Sequence, residues 1–139
     1  MLDTGATFDG YFCDFDRNFA MARADDASRR AYDVLFAATE AGLDAARPGA
    51  TCAAVFAAMQ RVITRHSPDA GAVGRLGHGL GMQLTEQPSL AGFDTGILQE
   101  NMVITLEPSL SYGAGRMMVH EENIVVQNGA PRLLSPRAP

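Results

Sequence analysis

Acidic residues stand at places in this chain where apolar packing would ordinarily exclude them. Asp3 and Asp14 lie 11 positions apart, on what read as the two arms of one hairpin. Glu107 closes the apolar run Met102-Val103-Ile104-Thr105-Leu106. Glu121 and Glu122 interrupt a second run, between Met117-Met118-Val119 and Ile124-Val125-Val126. A carboxylate on a buried strand is costly unless it is paired or bound to a metal. One such residue is ordinarily an edge-strand acid facing water. Four on separate strands, joined by His78 in the Gly-rich stretch 74–81, are harder to accommodate that way. Hard oxygen donors with a single imidazole suit Mn, Fe or Co better than a thiolate-bound zinc. Two divalent ions would offset the mutual repulsion of the acids.

The elements that must position these residues follow from local pattern. Thr7, Phe8, Tyr11, Phe12, Phe15 and Phe19 flank Asp9-Gly10, a hairpin signal. Asp25 or Asp26 can cap the helix that follows. Ala31, Val34, Leu35, Ala38, Gly42 and Ala45 recur at helical spacing over residues 27–46, before Pro48-Gly49. Thr51 can cap a second helix carrying a stripe from Cys52 through Val55, Phe56, Met59, Val62 and Ile63 to His66, closed by Ser67-Pro68. Beyond it, residues 74–96 read as Gly-rich loop, 102–106 as a buried strand, 109–115 as a turn and 117–127 as one more strand. The Pro- and Arg-containing tail, 128–139, is expected at the surface.

Composition sets outer bounds. The 139 residues, 47% hydrophobic and 19% charged, suit one domain with one core. The net charge is −5 and the 11 basic residues are scattered, so a nucleic-acid groove is not expected. No apolar run approaches a membrane span, and the first residues lack the pattern of a secretory signal. The chain therefore reads as a cytoplasmic protein. Cys13 and Cys52 match no zinc spacing and read as small buried apolar residues.

Asp3-Thr4-Gly5, Gly10-Tyr11 and Asp14-Phe15-Asp16-Arg17 resemble the Asp-x-Gly and Gly-Tyr-x-x-Asp-x-x-Arg segments of the M24 metallopeptidases, which include prolidase, aminopeptidase P and methionine aminopeptidase. Gly77-His78-Gly79-Leu80-Gly81 resembles their Gly-His-Gly-x-Gly segment. Leu106-Glu107-Pro108 and His120-Glu121-Glu122 resemble the two remaining acidic segments. The resemblance implies an α+β "pita-bread" fold, with curved antiparallel strands backed by helices. It also implies two divalent ions (Mn, Co, Fe or Zn) held by Asp3, Asp14, His78, Glu107 and Glu121. Asp14 and Glu121 would bridge them, Asp3 would serve one ion, and His78 and Glu107 the other. Catalysis would fall to a bridging hydroxide, with Glu107 moving a proton beside His78. The implied reaction is amide hydrolysis at an N-terminal or Xaa-Pro bond.

Two departures from the pattern matter. Thr85 stands seven residues after His78, where the peptidases have a second, substrate-contacting His, and Asp16 and Asn18 stand where Thr is common. A small-molecule hydrolase or lyase resembling creatinase, ectoine hydrolase or a dimethylsulfoniopropionate lyase is therefore an alternative, as is an inactive fragment. Asp16 fits a residue behind the ligands or a solvated strand residue equally well. The chain starts almost at the first ligand, so the resemblance implies a partial catalytic domain over 1–139, with its N-terminal portion absent. Exposed sheet edges would then favour association, and a homodimer joins peptide or small-molecule substrates among the expected partners. His66 is expected to pack or cap. His120 and Glu122, alternating with Glu121, should face away from the metals. Structural roles are expected for Tyr11, Arg17 and Arg116, and Glu86 is placed near the pocket rather than on a metal.

Overall fold

The computed structural model describes residues 1–67 and 74–138. Strands β1 (Leu2–Phe8) and β2 (Tyr11–Arg17) form an antiparallel hairpin. Its turn places Asp9 at φ 52° and Gly10 at φ 84°, the doubly positive geometry whose twist matches a two-residue hairpin. Helix α1 spans Asp26–Ala45, and the Asp25 side chain caps it by accepting from the Ser28 N–H at 2.7 Å. Helix α2 spans Cys52–His66 and is capped by Thr51, which accepts from the Ala54 N–H at 3.1 Å. It ends at His66, whereas Pro68, expected to close it, lies outside the described residues.

The principal sheet contains β3 (His78–Gly79), β4 (Glu86–Ser89), β5 (Val103–Leu106), β8 (Glu122–Val125) and β9 (Arg132–Leu133), in the order β4-β3-β5-β8-β9, all antiparallel. The remaining strands, β6 (Ser109–Tyr112) and β7 (Arg116–Val119), form a hairpin of their own. The two helices pack on each other and on these strands. Leu35, Ala38, Val55, Met59 and Ile63 meet Leu76, Leu90, Ile104, Leu106 and Ile124 in one buried core. Removing such side chains from water is the main favourable contribution to folding, about 1.5–3 kcal/mol for each large one. No helix among the described residues is long and apolar enough to cross a membrane.

Three local expectations are corrected. Residues 117–127 do not make one strand: β7 pairs with β6 and β8 with β5, and the chain changes sheets at His120-Glu121. The Gly-rich stretch contributes β3 and β4. At Gly79 a side chain would meet the Gln87 carbonyl oxygen at 2.2 Å, so glycine lets β4 close on β3. The tail is not simply a surface segment, since β9 pairs with β8 and Ala138 is buried. Cys52 is buried as expected, while Cys13 is only half-buried.

Candidate metal centre

Strand β2 presents Asp14, and β3 presents His78. Glu107 follows β5 directly, and Glu121 immediately precedes β8. His78 Nε2 lies 3.5 Å from Glu107 Oε2 and 3.8 Å from Asp14 Oδ2. One donor atom from each of Asp14, His78 and Glu107 falls within 4.8 Å of the others. The ring of His78 is oriented from behind, because its Nδ1 lies 2.9 Å from the Gly79 carbonyl oxygen. A carbonyl can only accept, so Nδ1 donates and Nε2 is turned toward the acids, the orientation by which a ligand histidine is fixed. The His78 N–H donates to Thr105 Oγ1 at 3.0 Å, and Arg75 Nε stands 3.5 Å from Glu107 Oε1.

Asp3 and Glu121 are not part of that close trio. Asp3 lies on exposed β1, directly opposite Asp16, while Asp14 is opposite Gly5. Cross-strand partners share a face, as do alternate residues of one strand. Asp3, Asp14 and Asp16 therefore project from the same face of the hairpin. Glu121 is 1% exposed, and its Oε1 has no hydrogen-bond partner among the described residues. Burial, then the charges of Asp14, Glu107 and Asp16, push its pKa up to about 9, against a backbone hydrogen bond from Asp16.

The other acids carry the same mark. Burial raises Asp14, with Glu107 and Asp3 adding to it and His78 opposing. Asp16 is pushed up to about 6 by burial, then by Asp3, Glu107 and Asp14. Burial works against a protonated His78, yet its hydrogen bonds to Glu107 and Gly79 and the charge of Glu107 outweigh it and raise its pKa. Carboxylates in this condition repel one another, and among the described residues only His78, beside Asp14 and Glu107, and Arg75, beside Glu107, offset them. The set of hard oxygen donors, one imidazole and an orphaned buried oxygen on Glu121 fits divalent ions.

Asp16 is where sequence reasoning fell short. It is 8% exposed and its Oδ1 is unpartnered among the described residues, so the solvated alternative is corrected. Its spacing of two from Asp14 was the available signal. Glu122 faces elsewhere: its Oε2 lies 3.6 Å from Arg17 Nη2, and its Oε1 accepts from the Ala138 N–H at 2.9 Å. His120 turns to the helices, with Nδ1 at 2.9 Å from Thr39 Oγ1 and its ring 5.5 Å from those of Tyr32 and Phe36. Burial, then Arg137 and Arg17, hold its pKa down at about 4. His66 is exposed at the end of α2, not on a packed face. Arg17 donates to the Glu121 carbonyl at 2.8 Å, and Arg116 pairs with Asp25 at 2.6 Å. Glu86 Oε2 accepts from the Gln83 N–H at 3.1 Å, away from the acids, and Thr85 is exposed.

A cavity of about 520 Å³ opens beside the trio, lined by Asp16, Gly74, Arg75, Ser89, Ala91, Phe93, Glu107, Ser109 and Val119. A larger one, about 890 Å³, lies between the start of α1, His66 and the β6–β7 hairpin and contains none of the clustered acids. The smaller cavity adjoins the chemistry and is the better place for a substrate.

Strand order, helix placement and the acids around one histidine together define an α+β domain with a candidate metal site. The chain belongs to metallopeptidase family M24, whose family model matches residues 1–128. It is 28% identical over 134 residues to the Xaa-Pro dipeptidase of Pyrococcus furiosus, covering 96% of this chain and 38% of that protein. To the Xaa-Pro dipeptidase of Lactobacillus delbrueckii subsp. lactis it is 34% identical over 110 residues, covering 79% of this chain and 30% of that one. The solved prolidase from Pyrococcus furiosus superposes with a TM-score of 0.91 at 25% identity, over 99% of this chain and 41% of its own. The architecture is thus part of the pita-bread fold, and the chain spans well under half the length of these relatives.

Proposed function

We propose that this chain carries the two-metal centre of a peptidase that hydrolyses an amide bond at an Xaa-Pro peptide. One observation carries the reading: Asp14, His78 and Glu107, from three separate parts of the chain, bring donor atoms within 4.8 Å of one another. The orphaned Glu121 oxygen and the relatives' activity as Xaa-Pro dipeptidases support it. In this reading Asp3, Asp14 and Glu121 hold divalent ions together with His78 and Glu107. Ions bound there supply Lewis acidity and activate water near neutral pH.

The chain's own residues then have distinct tasks. His78, with Nδ1 committed to the Gly79 carbonyl, offers Nε2 as a neutral donor. Glu107 sits at the cavity wall with one oxygen toward His78 and the other toward Arg75. From there it can take a proton from attacking water and return it to the leaving amine. Arg75 restrains the Glu107 carboxylate and gives the cavity a positive wall. A second reading keeps the metals and replaces the peptide with a small molecule. Thr85 favours it, because an exposed hydroxyl cannot reproduce the proton chemistry of an imidazole.

Calorimetric titration with Mn²⁺, followed by assay on Xaa-Pro dipeptides, tests the proposal. Two bound ions and release of proline are expected from the parent, with both lost in Glu107→Ala. Two ions without peptide turnover, but with turnover of small amides, would move the assignment to the second reading. No specific ion binding would overturn both.

A further inference from the structure

Asp16 lies outside the ligand set that the family resemblance supplies, yet it shares a hairpin face with Asp3 and Asp14. It follows Asp14 by two positions on β2, so both side chains leave the same face of the strand. Across the hairpin it is the direct partner of Asp3. Side chains so placed have Cβ atoms about 4.5–5.5 Å apart, and like charges directly opposite one another are unfavourable. On an exposed hairpin two such acids could splay into water, but Asp16 cannot, being more than nine-tenths buried. Its Oδ1 has no hydrogen-bond partner among the described residues. The adjacent Arg17 gives no relief, since its guanidinium is directed to the Glu121 carbonyl and the Glu122 carboxylate. Asp16 also lines the cavity that contains Glu107. A buried carboxylate with an unpartnered oxygen, opposite a second carboxylate across a strand pair, is stabilised in its charged form by a cation between them.

We propose that Asp16 is an additional carboxylate of the metal centre, which with Asp3 holds the divalent ion on the hairpin side. This rests on the two-metal reading above and extends it to a residue beyond the five ligands that the resemblance implies. With Asp3, Asp14, Glu107 and Glu121 it makes five carboxylates. Against two divalent cations that leaves a net charge of −1, so this centre should hold hard divalent ions more tightly than one with threonine at that position. The neutral Oγ of threonine is a far poorer partner for such an ion than a carboxylate oxygen.

The test is a calorimetric titration of the purified protein with Mn²⁺ alone, comparing the parent with Asp16→Thr, Asp16→Asn and the exposed-turn control Asp9→Asn. Melting of each in the presence of a chelator separates metal binding from folding. The parent and Asp9→Asn should bind two ions. Asp16→Thr and Asp16→Asn should bind one of them about 10- to 100-fold more weakly, with metal-free melting temperatures no lower than the parent's. Unchanged affinities for both ions in the Asp16 variants would overturn this inference and leave the two-metal reading standing. The same result with a raised KM would instead assign Asp16 to substrate. A lowered metal-free melting temperature in both variants would make Asp16 a structural residue and also overturn the inference. A parent that binds no ion would remove both proposals together.

Discussion

The residues of the proposed centre come from two regions built in opposite ways. The wall, formed by β3, β5 and β8 with the helices behind, contributes His78, Glu107 and Glu121. Ile104, Leu106 and Ile124 beside them are fully buried. The β1–β2 hairpin contributes Asp3, Asp14 and Asp16, yet every residue of β1 is exposed. The hairpin is held to the rest of the molecule largely by polar anchors. Asn123 donates to the Asp14 carbonyl, Asn18 to the Val119 carbonyl at 2.7 Å, and Arg17 to the Glu121 carbonyl at 2.8 Å. The Phe12 N–H adds a bond to the Gly81 carbonyl at 2.8 Å. Half of the proposed centre thus rides on a core and half on a pinned arm. Ions bound between them would tie arm to wall, so metal should raise stability by mass action and protect the hairpin amides most.

The largest effect that sharpens this contrast belongs to the wall. Leu106→Ala removes a fully buried side chain from the core and should cost about 2–5 kcal/mol. Urea denaturation measures it. A cost near zero would mean that the wall is not the rigid half.

Glu121→Gln comes next, and its effect depends on pH. In the metal-free protein the Glu121 pKa is raised from 4.5 to about 9. A group raised in this way contributes stability that is complete below its unfolded pKa and lost as pH rises through its folded pKa. The metal-free parent should therefore lose stability between about pH 4.5 and 9. Glu121→Gln, which cannot ionise, should flatten that decline while abolishing two-metal binding. Chelator-treated samples unfolded across this range supply the comparison; identical pH slopes for parent and variant would refute the placement of Glu121 among the acids.

A smaller effect concerns the arm alone. Asn123→Ala removes the side chain that donates to the Asp14 carbonyl and should cost about 1–3 kcal/mol. Hydrogen exchange should quicken in β1 and β2 before it does in β5. Uniform loss of protection would show that arm and wall unfold as one.

The same contrast explains what could be read in the sequence. The acids were legible because a carboxylate beside Ile104 or Ile124 conflicts with its neighbours, and the hairpin was legible in Asp9-Gly10. Both helices announced themselves by caps and spacing. The break at His120-Glu121 was not, since apolar residues flank it and no Gly or Pro interrupts it. It is made by pairing, with Val119 opposite Ser109 and Glu122 opposite Leu106, and by a bond from the His120 N–H to the Pro108 carbonyl at 3.1 Å. Strand β3, two residues long, carries no period at all. The burial of Asp16 was hidden for a related reason: it belongs to a strand whose partner is fully exposed, and the residues that share its cavity, such as Arg75, Glu107 and Val119, are distant in sequence.

The smallest effect lies at the tip of the arm. Phe8 is 86% exposed, and its neighbours are the turn residues Asp9 and Gly10. Phe8→Ala should change stability by no more than about 0.5 kcal/mol, as surface substitutions do, and should leave Mn²⁺ affinity untouched. Among the described residues, the hairpin's hydrogen-bonded anchors lie at Phe12, Asp14, Arg17 and Asn18 rather than at this side chain. A cost above about 1 kcal/mol in the same urea titration would mean that Phe8 packs on something in solution. If that cost grew with protein concentration, the cover would be a second copy of the chain. The arm would then be held by association as well as by its polar anchors, and the contrast between a packed wall and a pinned arm would describe only the isolated chain.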